Sequence, residues 1–327
     1  MSSNKLMMVL LAASCMSGLV AQEQVVSMSS RKWSRREYIT RDPFILAWEK
    51  NQTYYLYKST WYKDADGKDR PCFGYFKSKD LEDWEGPFPA FVPPKGFWAT
   101  KDFWAPEVHE YKGKFYMFCT MNSDSHKRGT QILRADTPEG PFLPISEFPQ
   151  TPDKWLCLDG TFWVEDGKPY MIFCHEWLDF KTGPKGLGGT IEMMPLTDDL
   201  TASAGEPVTL FRGSNAPWVK EITNQTYVTD GPFVYQENGE LYMLWTGSGW
   251  AGYTMFVAHS KSGKLAGPWE QLNEAIQPLD GGHAMRFKTF DGKIMTAFHG
   301  PNSGSTRLVL IEGPIIGSDT IRVKKVR

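Results

Sequence analysis

"YITRDPFILAWEKNQTYYLY", residues 38–57, places an acidic residue, Asp42, between Arg41 and Pro43, then runs through a strand-like segment, a polar turn and a second, tyrosine-rich segment. Alternating apolar residues broken by a short polar stretch are the pattern of a β-hairpin. The hairpin recurs along the chain. "NQTYYLY", "GKFYMF", "GKPYMIF", "GELYML" and "GKIMTAF" are each a turn followed by an alternating or wholly apolar strand, and setting Tyr55, Tyr116, Tyr170, Tyr242 and Met295 as equivalent gives spacings of 61, 54, 72 and 53 residues. Their upstream partners are "DPFILAW", "APEVHEY", "DGTFWVE", "DGPFVYQ" and "GHAMRFK". Downstream, "FGYFKSKDLEDWEGPF", "TQILRADTPEGPFLP" and "MFVAHSKSGKLAGPWE" share an apolar strand, a polar turn and a Gly-Pro followed by an aromatic residue. Four strands per unit, five units and almost no 3.6-residue periodicity predict an all-β fold, a five-bladed β-propeller over residues 38–327. A β-sandwich would not repeat in four-strand groups.

In a propeller the first strand of each blade lines the central channel, so residues at its start lie at the channel mouth. Those positions hold Asp42, Glu107, Asp159 and Asp230, with His283 in the fifth unit. Pro43 is expected to hold Asp42 in an extended conformation, because the residue before proline is restricted. Several carboxylates around one pocket repel when ionised, which raises some pKa values and separates an acid from a base. Glycoside hydrolysis requires such a pair. Trp104, Trp163, Trp250, Phe44 and Phe233 stand near the same openings, where an aromatic ring can stack on a sugar. Most large aromatics are packing residues, so Trp104 and Trp250 are the two expected to face ligand.

Composition sets the outer bounds. Of 327 residues, 41% are hydrophobic and 14% aromatic, enough for a large core, and 36 basic against 38 acidic residues give a net charge of −2. With no long run of either sign, neither a nucleic-acid partner nor an anionic membrane surface is implied. At the start, Lys5 precedes the apolar run "LMMVLLAAS", too short to span a bilayer, and residues 1–21 read as an export signal with residues 22–37 as a lead-in. Cleavage after Ala21 in "SGLVAQ" is one reading; "LAASC", which resembles a lipoprotein signal acylated at Cys15, is the other. Both place the protein outside a bacterial cytoplasm, in the periplasm or beyond. Cys72, Cys119, Cys157 and Cys174 show neither CxxC nor zinc spacing, and read as buried hydrophobes with no disulfide pairing selected.

These motifs resemble glycoside hydrolase family 43 over roughly residues 38–318. The resemblance rests on Asp42 in "RDPFI", "FWAPEV" at residues 103–108, Asp159 in "LDGTFWVEDGKPYM", "VTDGPFVYQENGELYML" and "GGHAMRF". It implies a five-bladed propeller acting on arabinose- or xylose-containing glycans, with Asp42 as general base, Asp159 tuning and orienting the acid, and His283 helping to hold a central ion, often calcium. The family's usual acid is a Glu in Glu-Gly-Pro, where this chain has Asp230. The side chain is shorter by one methylene, and three readings follow: Asp230 is the acid, Glu107, Glu176 or Glu221 replaces it, or activity is lost. Asp230 as a working acid is the reading adopted, in an exported, inverting glycosidase of plant cell-wall polysaccharide, with Asp42, Asp159 and Asp230 catalytic and Trp104, Trp250, Phe44 and Glu107 binding substrate. A catalytically impaired carbohydrate-binding propeller is the alternative. A sucrose- or fructan-cleaving propeller would open with Asn-Asp-Pro-Asn, which is absent.

Overall fold

The structure is a computed structural model that describes residues 5–11, 24–37, 39–180, 188–250, 252–273, 280–317 and 320–325. Both proposed processing points, Cys15 and Ala21, lie outside those residues. Five antiparallel sheets form the blades of a propeller. Blade one contains Phe44–Trp48, Thr53–Lys63, Asp69–Ser78 and Asp83–Phe91, extended at its outer edge by Gln24–Ser34 and Lys5–Leu11. Blade two contains Lys101–Tyr111, Lys114–Asn122, Gly129–Ala135 and Leu143–Pro144; blade three Cys157–Glu165, Lys168–His175, Thr190–Pro195 and Val208–Arg212. Blade four contains Asp230–Glu237, Glu240–Gly249, Gly252–Ser260 and Glu270–Gln271. Gly282–Lys288, Ile294–Gly300, Arg307–Gly317 and Thr320–Lys325 make blade five, so the polar C-terminal segment completes a blade. The five innermost strands contact one another in sequence around the ring, and the last contacts the first.

Turn chemistry fixes the hairpins. Lys112-Gly113, Asp166-Gly167 and Asn238-Gly239 each have two consecutive positive φ values, the two-residue turn whose twist matches antiparallel strands. Register then follows the repeat to the residue: Tyr55, Tyr116, Tyr170, Tyr242 and Met295 pair with Leu46, His109, Trp163, Tyr235 and Phe287, one position in all five hairpins. Apolar side chains between blades form the core, with Trp84, Trp245, Phe73, Phe118, Phe173 and Phe256 fully buried. Fully burying one such phenylalanine contributes roughly 2–3 kcal/mol of transfer free energy. All four cysteines described are free and buried.

At the channel mouth the inner strands share one irregularity. Register shifts by one residue between Trp104 and Glu107, Leu158 and Thr161, Asp230 and Phe233, and Gly282 and Met285. The residue after the first of each pair is left-handed: Ala105, Asp159, Gly231 and His283 have φ of 42°, 56°, 50° and 55°, and Asp42, at the same position of blade one, has 45°. Each is a β-bulge that bends the strand and re-aims a side chain. Asp42 is therefore left-handed rather than extended. Asp tolerates this region better than most residues, and the Asp42 N–H points to Nδ1 of His299 in blade five, 3.2 Å away. Two of the other bulges are held the same way by a neighbour, Asp159 N–H by Thr120 Oγ1 at 2.8 Å and His283 N–H by Thr246 Oγ1 at 2.8 Å.

Candidate active site

The bulges deliver their side chains into one cavity of about 980 Å³, lined among others by Asp42, Asp159, Asp230 and His283. Asp42 and Asp159 occupy the same position of their blades, whereas Asp230 stands one residue earlier and Gly231 takes the left-handed position. A Cβ on Gly231 would lie 2.8 Å from the His283 ring, so the glycine lets blade four approach the centre. The Gly231 N–H donates to Asp159 Oδ2 at 2.9 Å, joining blades three and four. His283 Nδ1 lies 3.2 Å from Asp42 Oδ1 and 3.6 Å from Asp159 Oδ2. His299 Nδ1 is 3.3 Å from Asp42 Oδ1, and its Nε2 is 3.1 Å from Asn302 Oδ1, which also accepts from Arg41.

The three carboxyls share a pocket but not a protonation state. Burial opposes ionisation of Asp42, yet His283, the contact with His299 and the charge of Arg41 outweigh it, holding this carboxyl well below the usual range. Burial, then the charge of Asp159, pushes Asp230 up to about 7 against the hydrogen bond from Tyr253 and the charge of His283. Burial and the charge of Asp42 likewise push Asp159 well up. The pocket thus keeps one carboxylate ionised and another protonated near neutral pH, the division that acid/base catalysis needs.

Of the residues expected to bind sugar, Trp104 lines the cavity and carries the Arg128 guanidinium 4.3 Å above its ring. Arg128 also pairs with Asp102 and Glu176, both in the cavity wall. Trp250 is 77% exposed and not among the lining residues. Phe44 is 5% exposed and packs against His109 and Phe233, where it belongs to the apolar core rather than to the cavity wall. Glu107 lies two residues beyond the bulge position, Ala105, and is 6% exposed, with Oε2 3.0 Å from His109 Nε2. It too is absent from the wall. Glu221 is an exposed loop residue that accepts the Gln225 N–H, and Trp163 packs against the core of blades three and four. Calcium takes six to eight oxygen ligands. His283 turns a ring nitrogen toward two carboxylates, and among the described residues no three His, Cys, Asp or Glu side chains are arranged to hold a metal ion.

Trp61, Trp177, Lys58, Arg128 and Tyr253 also belong to the site or its wall, without a signal in the repeats. Trp61 and Trp177 line the cavity, the former 62% exposed. Lys58 donates to the Ile39 carbonyl and burial lowers its pKa to about 8, with Asp42 opposing. Tyr253 donates from its hydroxyl to Asp230 Oδ2 at 2.9 Å. None stands in a repeated motif; only the extra strand length of "STWYK" beyond the aligned hairpin hinted that Trp61 overhangs the mouth.

A propeller with carboxyls of unequal surroundings at its mouth and tryptophans beside them holds the groups that glycoside hydrolysis needs. The chain belongs to the glycosyl hydrolases family 43, whose model matches residues 37–314. It is similar to an endo-arabinase from Bacteroides thetaiotaomicron, with 38% identity, 88% of this chain and 98% of that one covered, and a TM-score of 0.78. A thermostable family-43 glycoside hydrolase, at 24% identity, covers 88% of this chain and 93% of its own with a TM-score of 0.70. An endo-1,4-beta-xylanase from Bacteroides thetaiotaomicron, at 22% identity over 88% of this chain and 96% of its own, shares the fold with a TM-score of 0.68. No curated protein matches the chain. Among the described residues no helix is long and apolar enough to cross a membrane.

Proposed function

We propose that this glycosidase is exported and hydrolyses an arabinofuranosyl or xylosyl polysaccharide of plant cell walls, arabinan first among them, with inversion of configuration. The observation that carries the mechanism is the unequal surroundings of two carboxyls lining one cavity, Asp42 against two histidines and Asp230 buried beside Asp159 and Tyr253. Asp42, kept ionised by His283 and His299, takes a proton from the attacking water; Asp230, protonated up to about 7, gives one to the leaving glycosidic oxygen. Asp159 accepts the Gly231 N–H, fixing where the neighbouring acid sits. Arabinan is favoured because the 38%-identical structure is an endo-arabinase. Internal cleavage is supported by the tryptophans, since Trp61, Trp104 and Trp177 give several sugar rings stacking surface along the wall. A polymer too large to cross a bilayer fits the N-terminal apolar run read as an export signal.

Purified protein incubated with arabinan, xylan and the corresponding nitrophenyl glycosides tests the substrate class. Asp42→Asn should abolish turnover on every one, because water cannot be activated without the base. Proton NMR of the first-formed sugar, before mutarotation, should show the inverted anomer; a retained anomer would overturn Asp42 as base. Sugar binding without hydrolysis by the wild type would instead identify a carbohydrate-binding propeller.

A further inference from the structure

We propose that Tyr253 is the positioning residue of the acid, a hydrogen-bond donor that fixes the Asp230 carboxyl and stabilises the charge left on it after proton transfer. The inference rests on Asp230 being that acid. Tyr253 is the second residue of the third strand of blade four, Gly252–Ser260, and its hydroxyl lies 2.9 Å from Asp230 Oδ2. Because that oxygen is occupied by the phenol, Oδ1 is left to carry the transferable proton toward the leaving group.

The tyrosine is itself held from three sides. Its N–H donates to Asp280 Oδ1 at 3.3 Å, and its carbonyl accepts the Gly281 N–H at 2.8 Å. Asp280 Oδ2 accepts the N–H and hydroxyl of Ser303, at 3.1 and 2.9 Å. The Tyr253 ring stacks on His299, centroids 5.5 Å apart at 18°. His299 in turn touches Asp42, so one rigid aromatic pair fixes the acid on one side and the base on the other. This matters more for an Asp than for a longer acid. A short side chain cannot make up a misplacement by changing rotamer, and an error of about an ångström can cost on the order of a hundredfold in rate.

The charged and titratable groups facing Asp230 are Asp159 and Cys174 of blade three, Asp42 of blade one, His283 of blade five and Tyr253 of its own blade. Asp159 and Asp42 raise its pKa, while Tyr253 and His283 lower it. Burial, followed by the charges of Asp230, Asp42 and Asp159, pushes the Tyr253 phenol well above its ordinary value, so it remains a donor across the working range.

Steady-state kinetics of wild type, Tyr253→Phe and Asp230→Asn on arabinan, or on whichever glycan the substrate screen identifies, and on the nitrophenyl glycoside test this. Phe keeps the ring on His299 and removes only the donor. In Tyr253→Phe, kcat on the polymer should fall roughly ten- to a hundredfold with KM within about twofold. Nitrophenolate needs little protonation, so that substrate should lose less than about threefold. The basic limb of kcat/KM should move up by about one pH unit, because a hydrogen bond to the ionised form is lost, while the acidic limb stays where Asp42 sets it. Placing 3-fluorotyrosine at residue 253 keeps both ring and hydroxyl but strengthens the donor, and should move the basic limb down. Equal losses on both substrates with the basic limb unmoved in either variant would reduce Tyr253 to packing. Unchanged polymer hydrolysis by Asp230→Asn would overturn the acid itself, and Tyr253's role with it.

Discussion

Replacing Asp230 with Asn should cost activity and raise stability, and the second effect can be sized from the pocket. The carboxyl titrates near 3.8 in the unfolded chain and at about 7 in the folded one. A folded-state pKa raised this far means that the native protein binds more protons than the unfolded chain between those values, so stability falls as pH rises through that window. Relative to an amide that does not titrate, the loss grows by about 2.5 kcal/mol between pH 5 and pH 8. Asn retains an oxygen that can accept from Tyr253, so its packing contribution is nearly the same at both pH values and cancels from the difference. For a domain of this size the advantage of Asp230→Asn over wild type should widen by roughly 5 °C in Tm from pH 5 to pH 8. Scanning calorimetry of the two proteins at both pH values reads this directly. A Tm difference independent of pH would mean that Asp230 titrates as an ordinary carboxylate, and would remove the basis for calling it a protonated acid near neutrality.

For the wild type, kcat/KM on a polymer should hold through the acidic range and decline above about pH 7 as Asp230 loses its proton, whereas a nitrophenyl glycoside should show a weaker decline; a pH-rate series on both substrates checks it. Gly231→Ala should destabilise by about 2 kcal/mol or more, since the residue has φ +50° and the new Cβ would lie 2.8 Å from the His283 ring, and urea unfolding would measure it. The same variant should lose activity out of proportion to its stability, because the displaced ring is a partner of Asp42. Trp61→Ala should raise KM for the polymer several-fold and leave the nitrophenyl glycoside nearly unchanged, a split read from steady-state kinetics; equal effects on both would place Trp61 outside the polymer path.

The architecture was legible because a propeller repeats its hairpin, and repeated turns and apolar alternation are local properties. Lys112-Gly113, Asp166-Gly167 and Asn238-Gly239 favour tight turns, so the five repeated strands share one register to the residue. Convergence of Asp42, Asp159 and Asp230 on one cavity followed from the same symmetry. Their exact offsets did not. A one-residue bulge at the mouth of blades two to five reverses the side to which following residues point, which moved Glu107 off the cavity wall and gave the left-handed place in blade four to Gly231 rather than Asp230, while Phe44, two residues past the left-handed Asp42, packs on His109 and Phe233. The ionisation of the pocket was also invisible in the chain. Asp42 and Asp230 are the same residue type; what separates them is that two histidines of blade five lie against one, while burial and Asp159 surround the other. Sequence alone determined the blades and the carboxyls at their mouths, since both are encoded within a few neighbouring residues. Which carboxyl keeps its proton, and that Tyr253 reaches the acid from 23 residues away, were decided by contacts between strands and blades that exist only once the ring has closed.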